Sequence, residues 1–291
     1  MRKLFFEVVA YYLRNTSIEK GRYRLLTLAR PIGRKLGRTL GKRKLRTRHG
    51  FMMELDLCDW IPQDIYLTGD FESTSSAIAK KLLKPGDTVE DVGANIGYFS
   101  LLFAHCVGNT GSVYSFEPVP ALASKLEKNV ELNHFGQVIV STIALSDHRG
   151  TARFYSGPED NTGLSSLREP RQSSGSFDAE LAPFDDLVKD SSAITLVKID
   201  VEGAELQVLR GMERLLRNAR PNLLLEVTDT FLRELGDSAS SLLAFLDQFG
   251  YVCYLIGDGL TLLEKSQNDL PKQWNALFTS KKLFGQEAVF S

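Results

Sequence analysis

From Thr88 onward, β-rich runs and helical stretches take turns along the chain, and this alternation constrains the fold more than any other feature. Strands are expected at 88–91, 112–116, 137–142, 194–200, 222–227, 251–256 and 276–280. Helices are expected between them, among others at 120–133, 205–216 and 238–249. Strands that alternate with helices of 10–15 residues form βαβ units, in which helices cover both faces of a parallel sheet. The sequence therefore predicts an α/β protein with a mostly parallel sheet.

Positive charge is concentrated at the start of the chain. The first 50 residues hold 15 lysines and arginines against two acids, Glu7 and Glu19, although the net charge of all 291 residues is −1. Residues 1–44 are predicted to form a basic amphipathic helical extension, because leucines and Ile32 recur every three or four residues between 25 and 40. Such an extension can contact an anionic membrane peripherally, bind nucleic acid or pack on the folded body. Nucleic acid is the least favoured, since aromatic residues do not interleave with the basic ones.

Three features bear on the cellular compartment. The cysteines Cys58, Cys106 and Cys253 are isolated from one another, so neither a disulfide framework nor a zinc site is expected. No run of 18 apolar residues predicts a membrane-spanning helix. The opening residues are faintly similar to a signal peptide, but Glu7 interrupts the apolar run and no small-residue cleavage site follows. We therefore expect a cytoplasmic protein, whose basic extension could bring it to the inner membrane surface.

The stretch Val-Glu-Asp-Val-Gly-Ala-Asn-Ile-Gly at 89–97 is a glycine-rich turn between a predicted strand and a predicted helix. Gly93 and Gly97 would let the backbone approach a ligand closely and let the helix start against the sheet, and the free N–H groups of the helix start favour an anionic group. A nicotinamide or flavin site would need G-x-G-x-x-G here, so dinucleotide binding is disfavoured. Asp91 would repel a pyrophosphate but attract an ammonium group. The turn therefore predicts a zwitterionic ligand.

Glu117 ends the next predicted strand, 20 residues beyond Gly97. A carboxylate at this position can accept hydrogen bonds from both hydroxyls of a ribose. Each such charge-assisted hydrogen bond contributes roughly 1.5–3 kcal/mol. Either acid alone could be an ordinary polar strand end. Together, an amino acid bound on one side and a ribose on the other describe S-adenosylmethionine.

Five motifs resemble those of the FkbM methyltransferases, a family of class I S-adenosylmethionine-dependent methyltransferases. They lie at 91–100, 116–118, 144–147, 161–167 and 197–205. The segment 66–72 is similar to the family's first motif, with variation expected at Asp70 and Phe71, and the resemblance covers about residues 45–285. It implies a Rossmann-like methyltransferase domain over 45–291, with seven strands, helices on both faces, and a loop-rich insert at 150–192 near the acceptor site.

The resemblance also implies a cofactor site and a reaction. Asp91, Gly93, Asn95 and Gly97 would hold the methionine end of S-adenosylmethionine. Glu117 would hold the ribose, and the turn that begins with Ala144 and Leu145 would border the adenine. The implied reaction is methyl transfer, usually to a hydroxyl oxygen, on a small-molecule or glycan acceptor. A second hypothesis is an RNA methyltransferase that uses the basic extension.

Two acids follow the strand at 194–200, where ligands bind in α/β sheets. We predict Asp200 and Glu202 as the catalytic residues, because either could act as general base on an acceptor hydroxyl. Glu202 could instead only shape the turn. Two of these acids could also hold a divalent cation, but we predict no metal site because only oxygen ligands are available. Glu226, at the end of another predicted strand, could line the acceptor side.

Overall fold

A computed structural model of the chain describes residues 1–16, 22–157, 167, 175–189, 193–257, 259–263 and 270–280. The helices are α1 (Arg2–Asn15), α2 (Arg22–Leu40), α3 (Trp60–Thr68), α4 (Ser73–Leu82), α5 (Tyr98–Val107), α6 (Pro120–Leu132), α7 (Phe184–Leu187), α8 (Glu205–Arg210), α9 (Glu213–Asn218), α10 (Asp229–Glu234) and α11 (Ala239–Asp247). The strands are β1 (Lys42–Arg46), β2 (Met52–Asp56), β3 (Thr88–Val92), β4 (Ser112–Phe116), β5 (Val138–Ser141), β6 (Ala144–Leu145), β7 (Gly150–Ser156), β8 (Gly175–Ala182), β9 (Ile194–Ile199), β10 (Asn222–Thr228), β11 (Val252–Ile256), β12 (Leu260–Leu262) and β13 (Gln273–Thr279).

The central sheet is mostly parallel, as predicted, but within the described residues it has eight strands rather than seven. Its order is β12-β11-β13-β10-β9-β3-β4-β5. The five strands from β10 to β5 pair in parallel, whereas β13, β11 and β12 pair antiparallel. The additional strand is β12, three residues long at the edge of the sheet. The chain winds outward in opposite directions from the β3–β9 pair, so ligands are expected at the carboxyl ends of these two strands.

Two predicted elements differ from the structure. The stretch 205–216 forms two short helices, α8 and α9, instead of one. Gly211, which is a poor helix former, lies between them, so close to Ser146 that a Cβ would be 2.0 Å from the Ser146 carbonyl oxygen. The last strand begins at Gln273 rather than at 276, because its pairing with β10 extends as far as Thr228.

The part of the chain between β5 and β9 forms a smaller sheet. Its order is β6-β8-β7, in which β7 and β8 form an antiparallel pair and β6 runs parallel to β8. The predicted insert at 150–192 therefore begins with a strand of this sheet and contains its partner. Most of 158–174 lies outside the described residues, including the motif at 161–167 except Leu167.

The N-terminal helices pack on the body of the protein. Phe6 and Leu13 of α1 are fully buried in the same hydrophobic cluster as the core of β3 and α5. Phe6 stacks on Tyr66 of α3 with ring centroids 6.1 Å apart. Gly37 of α2 lies so near Leu57 that a Cβ would be 2.5 Å from the Leu57 carbonyl oxygen. β1 begins at 42, so the predicted domain boundary between 44 and 45 falls inside a strand.

The helices in the described part of the chain differ from membrane-spanning helices. None of them combines the length and the apolar character that crossing a bilayer requires. α2 is 19 residues long but carries basic residues along its length. The described helices therefore have no transmembrane candidate among them.

Glu90 in the middle of β3 is a buried carboxyl group. It is 0% exposed, and neither of its carboxylate oxygens has a hydrogen-bond partner among the described residues. Burial, followed by the charge of Asp185, raises the pKa of Glu90 well above its ordinary value of 4.5. The side chain is therefore held neutral in the core, since an unpaired buried charge is costly.

We expect Glu90→Met to stabilise the protein, and to do so more at high pH. Because the pKa of Glu90 is higher in the folded than in the unfolded protein, Glu90 contributes most to stability below about pH 4.5. This contribution falls as the pH rises, by at most about 1.4 kcal/mol per pH unit. A methionine at position 90 does not titrate, so its contribution to stability does not change with pH in this way. Urea unfolding at pH 5 and pH 8.5 should give the larger gain at pH 8.5, whereas Glu127→Gln on the exposed side of α6 should give the same small change at both. An equal gain at both pH values for Glu90→Met would contradict the neutral buried carboxyl.

Candidate functional site

One large cavity lies at the carboxyl ends of β3, β4, β9 and β10. Its volume is about 850 Å³, within the range of roughly 300–1,000 Å³ that is usual for small-molecule sites. The predicted site residues that line it are Asp91, Gly93, Asn95, Glu117, Ala144, Leu145, Asp200 and Glu202. The residues predicted for the cofactor and those predicted for catalysis therefore share one cavity.

The turn at 93–97 is held against the ends of two neighbouring strands. The N–H groups of Gly93 and Ala94 donate to the carbonyl of Phe116 at 2.9 and 3.1 Å. Gly93 has a φ of +79°, and a Cβ at this position would be 1.8 Å from the carbonyl oxygen of Asp200. Glycine is therefore required here by the contact between the ends of β3 and β9. Gly93 also lines the cavity, and the close approach of a ligand that we expected there stays a prediction.

Gly97 lies outside the cavity lining, unlike the other predicted cofactor residues. It precedes α5 with a φ of +92°, and a Cβ would be 2.2 Å from Cδ1 of Leu126 in α6. The glycine lets α5 begin directly against α6, which fixes the helix start beside the cavity. The predicted contact of Gly97 with the methionine end stays a prediction.

Asp91 is the predicted partner of a ligand ammonium group. It is 1% exposed, and its Oδ2 accepts a hydrogen bond of 2.6 Å from the hydroxyl of Ser100, which in turn accepts one from Ser115. Its Oδ1 has no hydrogen-bond donor among the described residues. Burial raises the pKa of Asp91, and the nearby charge of Lys198 opposes this rise. A buried carboxyl beside a cavity with a spare acceptor fits a cationic group such as the ammonium of S-adenosylmethionine.

Glu117 is fixed in orientation by the backbone. Its Oε2 accepts from the N–H of Asn95 at 2.7 Å, and its Oε1 accepts from the N–H of Val119 at 2.9 Å. Each oxygen keeps a further lone pair for a ligand hydroxyl. Burial raises the pKa of Glu117 to about 7, although the two N–H groups oppose the rise. The carboxylate fits the ribose diol, and the buried Ala144 and Leu145 supply an apolar wall in the same cavity.

A second charged group in the cavity is the acidic cluster, defined here as Glu72, Asp200 and Glu226. One carboxylate oxygen from each lies within 4.8 Å of the others. The ammonium of Lys198 is 3.0 Å from Oδ2 of Asp200 and 4.8 Å from the ring centroid of Phe99. Burial would lower the pKa of Lys198, but the surrounding carboxylates hold it above its ordinary value. Lys198 therefore supplies positive charge at the same place where a divalent cation with oxygen ligands would fit.

The acidic cluster can exchange a proton near neutral pH. The charge of Asp200, followed by burial and the charge of Glu72, raises the pKa of Glu226 to about 8. The amide of Gln273 donates to Glu226, and that of Asn275 donates to Glu72 at 3.0 Å. Like charges this close do not all ionise together, so the acidic cluster retains a proton near neutral pH.

Glu72 is a cavity residue that we did not select from the sequence. It lies just before α4, with a φ of +44°, and is separated from Asp200 by more than a hundred residues. No local pattern connects the two positions. The one available signal was the resemblance of 66–72 to the family's first motif, which we did not convert into a site residue.

Glu202 lines the cavity from the turn between β9 and α8 and has a φ of +54°. Positive φ is uncommon for a residue with a side chain and is concentrated at functional sites. The turn itself is shaped by Glu205, which is buried and accepts hydrogen bonds from the N–H groups of Gly203 at 3.0 Å and Val201 at 3.4 Å. Glu205 therefore also stabilises this turn, and the turn-forming role that we considered for Glu202 stays an alternative to a catalytic one.

Comparison with known proteins gives a family match over the site. The sequence profile of the FkbM methyltransferase domain matches residues 91–253. The 31-O-demethyl-FK506 methyltransferase FkbM of Streptomyces tacrolimicus is 32% identical, over 45% of this chain and 61% of that protein. The hexuronic acid methyltransferase AglP of Haloferax volcanii is 32% identical, over 45% of this chain and 52% of that protein. A solved methyltransferase FkbM from Methylobacillus flagellatus KT aligns with 96% of this chain and 58% of its own, at 14% identity and a TM-score of 0.44.

The matched profile covers more than half of the 291 residues and includes Asp91, Glu117, Asp200 and Glu226. The chain spans 61% and 52% of the length of the two curated relatives. The match confirms both the resemblance and the predicted cofactor, S-adenosylmethionine. The chain belongs to the FkbM methyltransferase family.

Proposed function

We propose that the protein is an S-adenosylmethionine-dependent O-methyltransferase that acts on a hydroxyl group of a sugar, a glycan or another small metabolite. The observation that carries the proposal is one cavity lined by Asp91 and Glu117 together with the acidic cluster. The names of the two relatives agree with it, since one is named for a 31-O-demethyl compound and the other for a hexuronic acid.

The residues divide the cavity between cofactor and acceptor. Asp91 holds the ammonium group of the cofactor, Glu117 holds the ribose, and Ala144 and Leu145 border the adenine. When bound, S-adenosylmethionine supplies a methyl group that is already activated on a sulfonium. The task left to the protein is to hold an acceptor oxygen in place and to take its proton.

Positioning contributes more to such a reaction than proton transfer does. Holding two reactants in the correct geometry lowers a barrier by about 7–11 kcal/mol, whereas a general base contributes about 10²–10⁴-fold in rate. In this proposal the carboxylate of Asp200 accepts the proton of the acceptor hydroxyl. Lys198 keeps Asp200 in position through its 3.0 Å ion pair, and Glu202 and Glu226 orient the acceptor from either side.

The acidic cluster also bears on the choice of acceptor. Glu72, Asp200 and Glu226 offer carboxyl oxygens that can accept hydrogen bonds from hydroxyl or amine groups of an acceptor. We therefore propose a neutral or amine-bearing hydroxyl compound as the acceptor. The RNA methyltransferase hypothesis is supported by the basic N-terminal residues alone.

Affinity for S-adenosylhomocysteine should rise with pH through about 7. The pKa of Glu117 is raised to about 7, and only its ionised form accepts both ribose hydroxyls, so binding should strengthen by up to about tenfold per pH unit below that pKa. Calorimetric titration at pH 6 and pH 8 measures this change. Glu117→Ala should bind below detection, since it loses two hydrogen bonds of roughly 1.5–3 kcal/mol each. Glu127→Gln, an exposed glutamate of α6, should behave like the unchanged protein, and normal binding by Glu117→Ala would show that the ribose assignment is wrong.

Asp200→Asn should bind S-adenosylhomocysteine normally but transfer methyl groups about 10²–10⁴-fold more slowly, as expected for loss of a general base. The assay offers neutral sugars, amino sugars, uronic acids and RNA transcripts together with carbon-13-labelled cofactor, and the methyl carbon shift in the product identifies the acceptor atom. We expect an oxygen-bound methyl group on a neutral or amino sugar.

Three outcomes would contradict the proposal. Methylation of RNA would favour the hypothesis of an RNA methyltransferase that uses the basic N-terminal residues, and methylation of a nitrogen or carbon atom of a small acceptor would show that the transfer is not to oxygen. Loss of S-adenosylhomocysteine binding in Asp200→Asn would place Asp200 in the cofactor site instead of the acceptor site.

A further inference from the structure

Helix α1 is apolar on two opposite sides. Its inner side is at most 5% exposed, packs on the body and consists of Phe6, Val9, Ala10 and Leu13. The outer stripe, as we name it, consists of Met1, Leu4, Phe5, Val8 and Tyr11, whose helical spacing places them on the opposite face. Leu4, Val8 and Tyr11 are 69%, 58% and 67% exposed. Because the inner side already accounts for the packing of α1, the outer stripe indicates a second apolar partner.

Exposed cationic side chains are present on α1 and on the neighbouring helix α2. Arg2 and Lys3 are exposed on α1 itself, and α2, which packs against α1, exposes Arg24, Arg34 and Lys35. The first 50 residues hold 15 cationic residues and two acids. A surface that combines large apolar side chains with excess positive charge complements an anionic bilayer, because the apolar groups enter the acyl boundary while the cations remain among the headgroups.

Other occupants fit this surface less well. Nucleic acid would satisfy the cations but would offer no apolar phase for Leu4 and Val8. A second copy of the chain would bring two strongly basic surfaces together, and the like charges would repel. An anionic lipid surface satisfies both the apolar and the charged parts.

We infer that helices α1 and α2 form a peripheral docking surface for an anionic lipid bilayer. The surface is joined to the cavity through α2, since Arg30 pairs with Asp64 of α3 at 2.6 Å and both residues line the cavity. Docking would hold the cavity close to the membrane surface. The inference is independent of the proposed methyl transfer, because it depends on the outer face of α1 and α2 alone.

Sedimentation of the full chain with vesicles tests the docking surface. Vesicles of phosphatidylcholine alone are compared with vesicles that also contain phosphatidylglycerol, at low and high salt. We expect at least about tenfold tighter binding to the anionic vesicles at low salt, and weaker binding at high salt. Full-length protein is needed, because removal of α1 would uncover the core around Phe6 and Leu13.

Matched variants separate lipid docking from general changes in the protein. Leu4→Ser with Val8→Ser should weaken anionic vesicle binding at least about tenfold, since both side chains would otherwise be buried in the acyl boundary. Ile139→Ser, at a 51% exposed position on β5, should leave vesicle binding unchanged. Arg34→Gln with Lys35→Gln should weaken binding at low salt and reduce its dependence on salt. Thermal unfolding should be the same for all of these proteins, because every substituted side chain is exposed.

Three results would overturn the inference. One is the absence of vesicle binding by the unchanged chain, and another is binding that survives Leu4→Ser with Val8→Ser. The third is a protein that does not bind vesicles but self-associates without them, and whose self-association the same double variant abolishes. The outer stripe would then be an interface between copies of the chain. Binding to an RNA transcript without binding to vesicles would equally contradict the lipid assignment.

Discussion

The carbonyl oxygen of Asp200 lies against the Cα of Gly93, and the arrangement of the cavity depends on this backbone contact. A Cβ at position 93 would be 1.8 Å from that oxygen, so any side chain would separate the ends of β3 and β9. The same turn donates two hydrogen bonds to Phe116, which brings in the end of β4. Asp91 is the penultimate residue of β3, and Glu117 and Asp200 directly follow β4 and β9. One close approach of backbone therefore fixes the relative positions of three functional carboxyl groups.

The cavity that results has more negative charge than positive charge. Asp91, Glu117 and the acidic cluster share it with the buried ammonium of Lys198. Burial and mutual repulsion raise the pKa of Glu117 to about 7 and that of Glu226 to about 8. Such shifts mean that the cavity retains protons which a cationic ligand would displace. A ligand that carries both an ammonium and a sulfonium group offsets this excess, which is a physical reason for the choice of cofactor.

The features found from the sequence were those that local patterns encode. Alternating strands and helices gave the sheet, and the position of Asp91, Glu117 and Asp200 at strand ends was enough to place them in one cavity. Glu72 was missed because only tertiary packing brings α4 to the end of β9. The need for glycine at position 93 was predicted from the turn. Its contact with the carbonyl oxygen of Asp200 was not predicted, because Asp200 is more than a hundred residues away. The edge strand β12 has only three residues, too few for a periodic pattern.

For the N-terminal residues too, the sequence predicted the local pattern but not the tertiary contacts. Helical periodicity and charge predicted a basic amphipathic segment, and packing of its inner side on the body was one of the three alternatives. The second apolar side of α1 became visible only when Phe6, Val9, Ala10 and Leu13 were assigned to the core, because this leaves Leu4, Val8 and Tyr11 exposed. The helical period alone does not show which apolar side chains of a helix pack on the body and which remain exposed.

The central claim is that Asp91 and Glu117 together define the site of S-adenosylmethionine. A crystal structure of the protein with S-adenosylhomocysteine tests it most directly. We predict the ligand inside the cavity, with its ribose hydroxyls hydrogen-bonded to Glu117 and its amino group beside Oδ1 of Asp91. A ligand bound elsewhere, or bound in the cavity with its ribose away from Glu117, would contradict this account.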